Sequence, residues 1–104
     1  MNYIVFDLEW NQCPYGKGQE NERIPFEIIE IGAVKLNSER QIIDQYQVLI
    51  QPRVYKKLHH RTREIIQMDM KLLEREGIPF YRAVKEFLKW CGEDVLFCSW
   101  GNSD

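Results

Sequence analysis

The chain has 104 residues, 44% hydrophobic and 12% aromatic, enough to build the core of one domain and too few for two. Its formal net charge of −2 excludes a globally basic nucleic-acid binder, although not a local basic patch. No apolar run reaches membrane-span length, and the N-terminus lacks the basic-then-apolar pattern of a secretion signal. Cys13, Cys91 and Cys98 are odd in number and form no CxxC pair, which speaks against zinc. They read as reduced thiols of a cytoplasmic protein, with Cys91 and Cys98 buried.

The first element is the apolar run Tyr3-Ile4-Val5-Phe6, too short for a good helix and rich in strand formers. It closes on Asp7-Leu8-Glu9. Strand side chains alternate faces, so Asp7 and Glu9 share one face at the strand's end, roughly 6–7 Å apart at Cα. Two carboxylates crowded at the end of a core strand repel each other and lose solvation. A hard divalent cation reverses that penalty.

A long polar stretch, 10–26, carries Pro14, Gly16, Gly18 and Pro25 and reads as a mobile surface loop beside the carboxylates. Residues 28–36 form the second strand, with Glu30 in an apolar run and Gly32 as a bulge or close-approach position. A polar turn over 37–41 joins it to a third strand at 42–50 as a hairpin, which Gln51-Pro52 ends. A short helix over 62–68, capped by Thr62, precedes a second one that Asp69 caps and Gly77 stops. After Pro79, residues Phe80, Ala83, Val84, Phe87, Leu88 and Cys91 recur with helical spacing, and the whole stripe reads as core. Gly92 ends that helix. The continuous apolar run 95–98 reads as a strand buried on both faces and paired in parallel. The chain then runs to Trp100-Gly101-Asn102-Ser103-Asp104.

A strand ending in Asp-x-Glu, followed by Glu27-Ile28-Ile29-Glu30-Ile31-Gly32-Ala33-Val34-Lys35-Leu36, the helix Phe80–Cys91 and an apolar strand leading to Trp-Gly-Asn-Ser-Asp, resembles the DEDD 3′–5′ exonucleases of DEDDh type. The closest flavour is the branch of ERI-type and sporulation-inhibitor-like bacterial exonucleases. The resemblance implies an α/β ribonuclease H-like fold. Its mixed sheet has the order 3-2-1-4, with strands one to three antiparallel, strand four parallel to strand one, and crossover helices between strands three and four. It implies a two-metal site for Mg²⁺ or Mn²⁺, in which Asp7 bridges both cations, Glu9 binds one and approaches the terminal 3′-hydroxyl, and Asp104 completes the other's shell. Trp10 and Asn11 then line a terminal-nucleotide pocket, Trp10 offering a stacking face. The implied activity is 3′–5′ exonucleolysis of single-stranded RNA or DNA, with release of nucleoside 5′-monophosphates.

The family's third motif, a general-base His and a fourth Asp, has no counterpart in these residues, and neither do its last strand and helices. Nor does the family's Leu-Thr-Gly-Ile signature appear near 58–73. The chain therefore reads as the N-terminal part of an exonuclease domain, inactive or nearly so by itself. His59 and His60 precede the short helix, in a region of the family that does not approach the metals, so neither supplies the missing base. The rival readings are a catalytically silent nucleic-acid-binding or regulatory module, and an interaction domain that self-associates through an exposed strand-four edge. Glu30 reads as structural, paired with a neighbouring side chain, and Trp90 and Trp100 read as core. The cations Arg53, Lys56, Lys57, Arg61 and Arg63 form either a solvated face or a phosphate-contacting edge.

Overall fold

The computed structural model describes residues 1–16, 18, 25–65 and 69–99. Seven elements run in the expected order: β1 (Asn2–Gln12), β2 (Phe26–Leu36), β3 (Ile42–Leu49), α1 (His60–Ile65), α2 (Met70–Glu76), α3 (Phe80–Cys91) and β4 (Val95–Ser99). The strands form one sheet of order β3-β2-β1-β4. β1 pairs antiparallel with β2 and parallel with β4, and β2 pairs antiparallel with β3. This is the mixed sheet of the ribonuclease H-like fold.

Local chemistry explains most boundaries. In the β2–β3 turn, Asn37 Oδ1 accepts from the amides of Glu39 and Gln41 at 2.9 and 3.0 Å. Asp69 caps α2, its carboxylate accepting from the Leu72 amide at 2.8 Å. Gly77 closes α2 by donating its amide to the Leu73 carbonyl. A Cβ on Gly77 would lie 2.3 Å from that carbonyl oxygen and 2.6 Å from the Gln51 nitrogen, so close backbone approach requires glycine there.

α3 packs on one face of the sheet, here called the inner face. Ala83, Phe87 and Cys91 form its buried line, against Ile4, Ile31, Ala33 and Ile50. The stripe is narrower than its periodicity suggests, because Phe80 and Leu88 flank that line and stay about half exposed. The C-terminal end of α3 is tied to the β2–β3 hairpin. Trp90 Nε1 donates to Asp44 at 2.9 Å, and the Lys35 ammonium lies 4.6 Å from the centre of a Trp90 ring. The Trp90 hydrogen bond, the Gln45 amide and the Lys35 charge hold the Asp44 carboxyl below its ordinary pKa.

Among the described residues, the outer face is covered at one end. There Ile29, Leu58 and Leu73 form a second core with Leu49 and Met70 at its margin. Two residues that adjoin in sequence thus feed separate cores, Ile28 the inner one and Ile29 the outer. A β-bulge makes this possible. Glu9 pairs with Glu30 and Trp10 with Ile28, so Ile29 is the extra residue. The bulge therefore lies three positions before Gly32, the glycine read as a bulge or close-approach position. Gly32 sits within a regular part of the ladder, opposite Asp7.

Four further expectations are corrected. β1 continues through Trp10, Asn11 and Gln12, so Asp7 and Glu9 lie within the strand rather than at its end. Antiparallel partners Ile28, Glu27 and Phe26 extend the ladder beyond the apolar run that defines the strand in sequence. Thr62 lies inside α1, where its hydroxyl donates to the Trp10 carbonyl at 3.2 Å, rather than capping the helix. β4 is an edge strand: Leu96 and Phe97 are 48% and 47% exposed, and Cys98 is only partly buried. No layer covers its outer face among the described residues. Residues 66–68, Trp100 and Asp104 lie outside the described residues.

Gly77→Ala should destabilise the chain by about 1–3 kcal/mol, because neighbouring backbone must move. Gly32→Ala, with nothing within 4 Å of the added carbon, should shift stability by no more than about 0.5 kcal/mol. Urea unfolding of the two variants checks both.

Candidate functional site

Alternation along β1 sends Asp7 and Glu9 to the outer face. There they line an open cleft of about 390 Å³ together with Glu30, Gly32, Gln45 and Gln47. Gly32 stands opposite Asp7, and nothing among the described residues lies within 4 Å of where its Cβ would be. Glu30 stands opposite Glu9 and accepts a hydrogen bond from Gln47 Nε2, the neighbouring-strand partner expected of a structural glutamate. Asp7 is exposed and Glu9 partly buried. The donors around this cleft are carboxylate and carboxamide oxygens, with no thiol or imidazole, a set that suits a hard, partly hydrated cation. Among the described residues no three His, Cys, Asp or Glu side chains converge as ligands. The third carboxylate expected there, Asp104, lies outside those residues.

The segment that follows β3 lies farther along the same strands, and two buried side chains fix it. Glu27 accepts from the amides of Arg53 (2.7 Å), Val54 (2.9 Å) and Tyr55 (3.3 Å). Asn11 is fully buried. Its Nδ2 donates to the Lys57 carbonyl at 3.0 Å, and its Oδ1 accepts from the His59 amide at 2.8 Å. Asn11 and Glu27 are partners across β1 and β2, and Asn11 shares the face of Asp7 and Glu9. The segment is thus bolted to the same face, two residues or about 7 Å beyond Glu9 along the strand. Tyr15 adds a further tie, its hydroxyl accepting from the Lys56 amide at 3.1 Å.

The structure separates the two residues expected to line one nucleotide pocket. The Asn11 amide is taken up by the 57–59 backbone. Trp10 points to the opposite face, edge-on to Phe26 at 6.4 Å, in an apolar groove of about 520 Å³ shared with Ile28, Ile50 and Phe80. His59 and His60 stack at 4.3 Å at the start of α1, and His59 Nδ1 accepts from the Arg61 amide. The imidazole is therefore spent on the helix start. Sequence reading missed the anchoring roles of Glu27 and Asn11. The available signal was a polar residue interrupting an apolar strand, at Glu27 in Phe-Glu-Ile-Ile.

Sheet order, pairing senses and crossover helices define a ribonuclease H-like α/β domain with two carboxylates on one strand. No protein-family model matches the sequence, and no curated sequence does. Solved structures do match. The nuclease domain of 3′hExo, a DEDDh family member bound to rAMP, aligns at a TM-score of 0.77 with 21% identity, over 99% of this chain and 53% of that one. Cell-death related nuclease 4 aligns at 0.73 with 14% identity, over 99% of this chain and 36% of that one. E. coli exonuclease I in complex with a dT13 oligonucleotide aligns at 0.70 with 12% identity, over 97% of this chain and 20% of that one. The chain spans about half the length, or less, of these structures.

Asn11→Ala should cost about 1–3 kcal/mol, because it strands the Lys57 carbonyl and the His59 amide. It should also raise hydrogen exchange at the His59 amide more than at β1–β2 ladder amides. Burial first, then the charges of His60 and Arg61, hold His59 below its ordinary pKa of 6.5. As pH falls the unfolded chain takes up this proton first. The contribution of His59 to stability is therefore intact above pH 6.5 and declines below it. An NMR titration should place the His59 midpoint below 6.5, with the Arg61 amide shift following the same curve.

Proposed function

We propose that this domain belongs to the DEDDh 3′–5′ exonucleases and serves metal-dependent hydrolysis at the 3′ end of single-stranded RNA or DNA, releasing nucleoside 5′-monophosphates. The observation that carries the reading is the pair Asp7 and Glu9 lining one cleft on the same face of a ribonuclease H-like sheet, with Gly32 opposite Asp7. The fold likeness to nuclease domains, one holding rAMP and one a dT13 oligonucleotide, supports it. RNA is the preferred substrate, on the resemblance to the ERI-type branch.

Asp7, Glu9 and Asp104 would hold Mg²⁺ or Mn²⁺. Bound there, the cations would neutralise the scissile phosphate and lower the pKa of the attacking water. Glu9 has a second role in this reading, accepting a hydrogen bond from the terminal 3′-hydroxyl. Asn11 acts at one remove: it keeps residues 57–59 seated farther along the same face, where the strand leading to that 3′ end passes. Trp10 lines the substrate site only if the terminal base reaches the opposite-face groove. The general-base His and fourth Asp of the family have no counterpart in these 104 residues. The chain by itself is accordingly a metal-holding half-site, inactive or nearly so.

The test is Mn²⁺ binding by the 104-residue chain, read by water-proton relaxation. Asp7→Asn and Glu9→Gln should each weaken binding by roughly tenfold, about 1.4 kcal/mol. Unaltered Mn²⁺ affinity in both variants would remove the metal assignment. Robust Mg²⁺-dependent trimming of a 3′-labelled RNA by the same chain would remove the half-site reading.

A further inference from the structure

The chain carries a net charge of −2, yet residues 51–71 hold six Lys and Arg against two acids, Glu64 and Asp69. The six cations, Arg53, Lys56, Lys57, Arg61, Arg63 and Lys71, are all exposed. The ion pairs among the described residues are Met1–Asp94, Arg75–Glu76 and Arg82–Glu86, so none of the six is neutralised by a partner there. Of the two acids, Asp69 is committed to capping α2. Such a concentration of unpaired charge is self-repelling, and the fold holds it in place. Glu27, Asn11 and Thr62 bind its backbone or the start of α1 to β1 and β2, and Tyr15 binds it to the residues that follow β1.

Three of the six cations also line a concavity. Lys57, His60, Arg63 and Lys71 surround a cleft of about 560 Å³, with Asp69 and Met70 at its side. Lys57 reaches it from a position 5.6 Å over the Tyr15 ring. His60 also lines an adjoining cleft of about 500 Å³, walled by Pro14, Pro25, Phe26 and His59. A basic trough beside a surface of rings and prolines offers a phosphate and its base separate seats.

We infer that Lys57, Arg63 and Lys71, with His60, form a phosphate-binding trough for single-stranded nucleic acid, on the segment that Asn11 holds two strand residues beyond Glu9. Its place on the segment tied to the strand of Asp7 and Glu9 gains meaning from the nuclease reading. Binding itself does not require it. The trough draws the polyanion in by charge and counterion release and tolerates any sequence, because its contacts are to phosphates and ring faces. The acid-lined cleft repels the same polyanion until a cation is present. The trough therefore supplies most of the affinity in the absence of metal.

The experiment uses the full chain in EDTA at about 50 mM salt, where phosphate contacts are strong. Fluorescence anisotropy reads its binding of fluorescein-labelled oligouridylate and oligothymidylate. The triple variant Lys57→Gln/Arg63→Gln/Lys71→Gln should bind roughly tenfold or more weakly, and the slope of log affinity against log salt should fall by about 2. A control with the same charge change on α3, Arg82→Gln/Lys85→Gln/Lys89→Gln, should bind as the native chain does. Circular dichroism confirms that both variants fold. Equal losses in the two variants, no loss in the first, or no binding by the native chain would overturn the trough. Tighter binding to phosphatidylserine vesicles than to either oligonucleotide would also overturn it, in favour of a membrane surface. Oligonucleotide binding without Mn²⁺ binding leaves the trough standing and removes the nuclease reading. Mn²⁺ binding without oligonucleotide binding does the reverse.

Discussion

One extra residue in β2, Ile29, governs how the two faces of this domain are used. A regular ladder would set Trp10 opposite Ile29 and place Glu27 on the inner face with α3. The bulge instead leaves Ile29 to the outer core of Leu58 and Leu73 and gives Ile28 to the inner core. It also swings Glu27 to the outer face beside Asn11, where the two together hold five backbone groups of the 53–59 segment. Without that switch, Glu27 could not join Asn11 in holding this segment on the carboxylate-bearing face.

The carboxylate cleft and this segment differ in charge. Asp7, Glu9 and Glu30 line the cleft, and the segment is cationic. Charges of both signs left near each other in one protein usually pair off at the surface with small gain. Here the cations make no ion pair among the described residues, and their backbone is pinned by one neutral carboxamide, two hydroxyls and a single buried carboxylate. Held this way, the charges stay available to a ligand. Asp44 shows the contrasting use. Its carboxylate accepts from Trp90, which fastens α3 to the hairpin, and from the Gln45 amide, and its pKa falls accordingly.

Features written in local chemistry were legible in the sequence. The α3 spacing, Asp69 before Met70, Gly77 after Glu76 and the Asn37 turn all act within a few residues of themselves, and each fell where expected. The sheet order followed from strand pattern, crossover helices and family resemblance together. The length of β1 was hidden because Asn11 and Gln12 look like loop residues. They become strand only when Glu27 and Phe26 come alongside, sixteen and fourteen positions away. Thr62 looks like a cap by its type and position, and a carbonyl fifty-two residues earlier claims its hydroxyl instead. The run at 95–98 has the composition of a buried strand, but exposure depends on which neighbour lies outside it.

By itself the sequence determined that Asp7 and Glu9 share a face, since strand alternation is a property of the backbone and depends on no partner. It likewise determined the helices whose caps and apolar stripes are local. Only the tertiary structure decided what surrounds those carboxylates: Gly32 opposite Asp7, Glu30 opposite Glu9 and bound to Gln47, and a cationic segment bolted to the same face by Asn11 and Glu27. These neighbours come from strands and loops roughly twenty to fifty residues away, and cross-strand register brings them together. Register depends on where the bulge falls. Only the paired strands and the two cores, acting together, placed it at Ile29.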